Sequence, residues 1–145
     1  MIEAEAYLES IRALDARIQM KIRQIQSLRD SLTSIYVSTD SERVSHTPNV
    51  DLMADTVATI IRIENEIDKQ TSELFDKKQR IICLLDRLKA ESANVLSGYY
   101  IEGKSTKELS NSLFMTRRQV QRKINKAIEE FQTVLNYPDK QQRND

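Results

Sequence analysis

The chain has 145 residues, 39% hydrophobic and 30% charged, with 2 Gly, 2 Pro and no Trp. That length suits about one domain, and so few Gly and Pro leave little material for the turns of a many-stranded sandwich or barrel. Its 22 basic residues balance 22 acidic ones, and the longest apolar run, Ile81 to Leu85, falls far short of the ~20 residues that span a bilayer. No charged start followed by an apolar stretch marks a signal peptide, so the expectation is a cytoplasmic protein without a membrane partner.

From Ala4 to Ile35 the apolar positions Ile11, Leu14, Ile18, Ile22, Ile25, Leu28, Leu32 and Ile35 recur at steps of three and four. This stripe predicts a helix of about 30 residues whose narrow apolar face needs a partner helix. Residues 38–49, rich in Ser and Thr with Pro48, predict a loop, and His46 within it reads as a solvated side chain. A second long helix is expected from about Asp51 to Lys89, since Ile60, Ile67, Leu74, Ile81 and Leu88 recur every seven residues. Ile63 and Leu84 extend one flank of this seam, and Phe75 and Ile82 the other. Such a seam fits either an antiparallel hairpin or a coiled-coil dimer, and its polar middle (Glu64, Thr71, Lys78) can fix the register.

Chemistry-bearing clusters are sparse. Cys83 lies within Ile-Ile-Cys-Leu-Leu and reads as a small buried hydrophobe. One Cys and one His give neither a disulfide nor a metal cluster, so no metal or cofactor is expected. Paired carboxylates such as Glu64 with Asp68 read as solvated helix faces, because no His or Gly-rich loop accompanies them. No catalytic residue stands out, and the expectation is that the protein is not an enzyme.

The texture changes after Ser92. Val95, Leu96, Tyr99, Tyr100 and Ile101 make a short apolar helix that Gly103 stops in a left-handed conformation. Ser105 and Glu108 then form a capping box for a helix from about Ser105 to Leu113. Thr116 and Gln119 form a second box, opening a helix with Val120, Ile124, Ala127, Ile128 and Phe131 along one face. Arg118, Gln119, Arg122, Asn125 and Lys126 face the opposite side, with Arg117 and Gln121 near the N-terminal flank.

Charge gathers in the same place. Residues 1–103 carry a net charge of −4 and residues 104–145 a net of +4. Between 104 and 128, seven basic residues oppose the single acidic Glu108, which points to a polyanionic partner. Two capped helices joined by a turn of three or four residues, the second basic and amphipathic, predict a helix-turn-helix. Its N-terminal Arg and Gln side chains suit base edges in the major groove. Lys104, Lys107, Lys123 and Lys126 suit phosphates, which hold the protein without reading sequence.

Val95-Leu96, Tyr99-Tyr100, Ile101 to Ser105, Glu108 to Ser110, Leu113, Thr116 and Val120 resemble region four of bacterial sigma factors. The whole chain looks like the ArpU-like late transcriptional activators of phages and prophages, and the specific part of the likeness covers about Arg87 to Phe131. The resemblance implies a regulator in the cytoplasm of a bacterial host that binds double-stranded DNA and RNA polymerase. It assigns Arg117, Arg118, Gln121 and Arg122 to base and phosphate reading and Thr116 to the N-cap. One departure matters. Phe114 stands where such turns usually hold Gly, and a left-handed bulky residue is costly, so a differently shaped turn is expected. The N-terminal half has only Tyr7, Tyr36 and Phe75 as aromatics, too few to capture melted bases by stacking.

The expected architecture is therefore all-α, with a long helical hairpin or coiled coil over 1–90. A region-four-like helix-turn-helix follows over 91–136, then a disordered tail over 137–145. The leading expectation is a transcription regulator that dimerises through its long helices. A phage DNA-packaging protein of the small-terminase type is one alternative, and a polymerase-binding protein that does not read DNA is another.

Overall fold

A computed structural model describes residues 3–41 and 47–137. The described residues are helical with no strand: α1 (Ala4–Ser41), α2 (Thr47–Leu85), α3 (Ala90–Leu96), α4 (Thr106–Leu113) and α5 (Arg117–Asn136). α3 runs on into a π-helical turn, Ser97–Ile101. The all-α class expected from the sequence is observed, and no described helix is long and apolar enough to cross a membrane.

The loop expected over 38–49 is shorter at both ends, since α1 continues to Ser41 and α2 begins at Thr47. Extending an established helix costs only the weak propensity of each added residue, so Ser and Thr do not stop α1. Pro48 is tolerated because it falls in the first turn of α2. Residues 42–46, with His46, and residues 138–145 of the expected tail lie outside the described residues. α2 also ends four residues early, at Leu85. Arg87 N–H donates to the Leu84 carbonyl at 3.1 Å and Leu88 N–H to that of Leu85 at 3.0 Å, a tightening of the last turn that ends helices.

The chain divides into two compact units. The first comprises Asp15 to Glu73, where α1 and α2 pair antiparallel within the chain. Arg29 meets Glu64 at 2.6 Å, and Lys21 meets Glu66 at 3.3 Å and Gln70 at 2.9 Å, so contacts move down α2 as α1 rises. Ile25, Ile60 and Ile63 form the buried seam, with Leu28, Leu32 and Ile67 packed against it. Each buried Ile contributes about 1.5–3 kcal/mol, whereas exposed ion pairs contribute about 0–1 kcal/mol. The apolar seam holds this hairpin, and the charges set its register.

The second unit joins the first fourteen residues to everything from Leu74 onward. Its core includes Leu8, Ile11, Ile81, Leu85, Val95, Leu96 and Phe131, all 4% exposed or less. The Tyr7 ring stacks on Phe131 at 6.4 Å, and Ala4 N–H donates to Gln132 Oε1 at 2.7 Å. The Arg12 guanidinium lies 4.1 Å above the Tyr99 ring, a cation–π contact. Tyr100 is buried, and that burial, followed by the negative charge of Glu9, pushes its hydroxyl pKa up.

Three expectations about α2 are corrected. Cys83 is exposed rather than buried, and Phe75 and Ile82 are exposed rather than flanking the seam. Leu74, Ile81 and Leu85 take the core-facing positions, and helical geometry turns their immediate neighbours about 100° away.

Candidate nucleic-acid interface

Local sequence sets the geometry of the α4–turn–α5 segment. Ser105 adopts an extended conformation and its hydroxyl accepts the Glu108 N–H at 3.1 Å. The reciprocal bond from the Glu108 side chain is not made, so the first expected capping box is half formed. The second is complete: Thr116 Oγ1 accepts the Gln119 N–H at 3.1 Å, and Gln119 Oε1 accepts the Thr116 N–H at 3.0 Å. Together these bonds satisfy orphan donors and fix where α5 begins.

The turn has three residues, Phe114 to Thr116. Phe114 holds φ 55° and ψ 46°, the left-handed conformation. The differently shaped turn expected from a bulky residue is thus overturned: the backbone takes the glycine-like conformation and Phe bears its cost. Ser110 secures it. Its carbonyl accepts the N–H groups of Phe114 and Met115, and its hydroxyl donates to the Met115 carbonyl.

Beneath the turn, Val95, Leu109, Val120 and Ile124 form a buried cluster, with Tyr99, Leu113, Met115 and Ile128 against it. α3 and the π turn form the floor. Gly98 lies so close to α4 that a Cβ there would meet Leu109 Cδ2 at 2.9 Å. The π turn gave no sequence signal. Its i+5 bond, Glu102 N–H to the Ser97 carbonyl at 2.9 Å, lets the chain close while Gly98 and Tyr100 face inward and remain buried.

The core-facing side of α5 fixes its outer side. With Val120, Ile124, Ala127 and Phe131 buried, the side chains of Arg117, Arg118, Gln121, Arg122, Asn125 and Lys126 are exposed. Among the described residues, Arg117, Arg118, Arg122, Lys126 and Lys107 (exposed on α4) have no acidic partner. Gln121 donates to Asn125 Oδ1 at 3.0 Å, which aligns two amides one turn apart. Gln119 is exposed as well, but its carbonyl oxygen is committed to the cap.

The remaining two lysines behave differently. Lys123 is ion-paired with Glu91 of α3, and Lys104 with Glu102 at 3.0 Å. Neither pairing was foreseen: Glu91 lies on another helix, and Glu102, two residues before Lys104, falls outside the short basic window. The resulting surface combines exposed Arg side chains and a paired amide couple on a capped helix with lysines around it, an arrangement suited to a polyanion with readable edges. Comparison with protein-family models, curated proteins and solved structures finds no match to this chain.

Proposed function

We propose that the protein is a sequence-specific DNA-binding transcription regulator of the phage or mobile-element kind. It acts in the bacterial cytoplasm with host RNA polymerase, through a recognition helix like that of sigma region four. The observation that carries this reading is the outer side of α5, where Arg117, Arg118 and Arg122 stand exposed and, among the described residues, without acidic partners, on the same helix as the Gln121–Asn125 amide pair. Three guanidinium groups within six residues of one helix, unpaired among the described residues, repel one another and suit phosphate and guanine contacts. Arg118 and Arg122 read base edges in this assignment, while Lys107 and Lys126 hold phosphates.

The reading includes a homodimer through the long helices. Val50, Val57 and Ile61 support it, because α2 leaves them exposed although its other side is paired within the chain. A two-fold dimer reads half-sites about one helical turn apart, or a multiple of that.

Selection of bound duplexes from a random library at ~150 mM salt, where non-specific binding is weak, tests the reading. The protein is run beside its Arg118→Ala/Arg122→Ala variant. We expect an enriched motif that the variant loses, since each base-reading Arg is worth about 1–3 kcal/mol. A folded protein that enriches no motif overturns it, in favour of a factor that acts through polymerase or a packaging assembly.

A further inference from the structure

A cleft opens between α3 and α5, on the flank of the side that carries Arg118 and Arg122. Its walls are Lys89, Glu91, Ser92, Lys123, Lys126 and Glu130, and the buried Val95 lies at its floor. Three lysines and a serine thus line it, side chains whose ammonium and hydroxyl donors suit the oxygens of a phosphodiester. Lys123 is the most sheltered of the three, with its side chain 32% exposed, and it is held by the Glu91 carboxylate, which is itself 69% exposed. Lys123 directly follows Arg122 on α5 and lies about 100° around the helix from it, so the cleft borders the side that carries Arg118 and Arg122.

We propose that the cleft is a seat for one DNA backbone phosphate, and that Glu91 fills the anion's place at Lys123 until the phosphate displaces it. This rests on the DNA-binding reading above and adds Lys89 and Ser92 to the interface. The exchange conserves charge, because one carboxylate leaves the ammonium as one phosphate arrives. Glu91 therefore lowers affinity for every duplex by the strength of the pair that must be broken. Glu130 on the opposite wall keeps the empty cleft from accumulating positive charge.

The test is a double-mutant cycle on the full chain with a short random-sequence duplex at ~50 mM salt, where backbone binding is strong. Glu91→Gln removes the competing charge but keeps the shape, and we expect it to tighten binding about fivefold, the size of one exposed ion pair. In a Lys123→Gln background the same change should tighten binding less than about twofold, since no ammonium is left to release. An equal gain in both backgrounds overturns the proposal, because Glu91 then acts only through general repulsion. No gain, or a loss, when Glu91→Gln is made in the otherwise unmutated chain overturns it too. If the unmutated chain binds no duplex at ~50 mM salt, the DNA-binding reading itself fails, an outcome visible before any variant is made. Glu91 and Lys123 lie outside the buried core, and matching thermal melts will show that the four proteins compared are equally folded.

Discussion

Phe114 holds a left-handed backbone with its ring 95% exposed, so it bears conformational strain and gains almost no burial in return. Left-handed φ/ψ costs an L-residue about 1–2 kcal/mol, whereas glycine adopts it freely at some cost in unfolded-chain entropy. Phe114→Gly should therefore stabilise the protein by about 1 kcal/mol, measured by urea unfolding; a destabilised variant would show that the ring has a packing partner. The contrast with Gly98 is instructive. There the backbone needs no left-handed turn, and the absence of a side chain lets the π turn approach Leu109. Gln119 shows how one residue can satisfy two sequence patterns while the structure commits it to one. Its position on the polar side suits a base contact, but its carbonyl closes the cap of α5.

At the scale of the element, α5 depends on its first turn. Thr116→Ala removes the acceptor for the Gln119 N–H and should cost about 1 kcal/mol, read from a chemical melt. Because the box fixes the direction of the first turn, the same variant should weaken DNA binding without changing the preferred motif. Its side chain touches no base in the proposed mode, so a changed motif would contradict that assignment. The N-cap positions, the length of the turn and the apolar side of α5 were legible in the sequence because they are encoded by residues within four positions of one another, whereas the left-handed Phe114 and the unmade half of the Ser105 box were not. So were the α1 and α2 stripes, which repeat over many turns. What stayed hidden depends on distant partners or on rotation about a helix axis. Cys83 sits in an apolar run, yet Ile81 and Leu85 occupy the core and leave it outside. The pairing of Lys123 with Glu91 joins residues on separate helices, and no local pattern announces it. The π turn at 97–101 was equally silent, since it follows from how closely Gly98 can approach α4.

For the whole molecule, α5 does not stand on its local motif alone. Leu8 and Ile11 of α1 are 0% and 1% exposed within the unit that carries α5, and Tyr7 covers Phe131. Leu8→Ala should cost about 2–5 kcal/mol and shift the cooperative melt of that unit, although 109 positions separate Leu8 from Arg117. A change below about 1 kcal/mol would show that the site collapses around the lost side chain or that α1 is dispensable there. The Ala4–Gln132 bond, with its separation of 128 residues, carries a consequence for how the protein is made. At roughly 5–20 residues added per second, the ribosome takes roughly 6–25 s to deliver Gln132 after Ala4. For that interval Leu8 and Ile11 have no α5 to bury them. In a nascent chain this segment of α1 is therefore exposed to chaperones and proteases until α5 emerges, and a slowly translated message should yield less intact protein than a fast one.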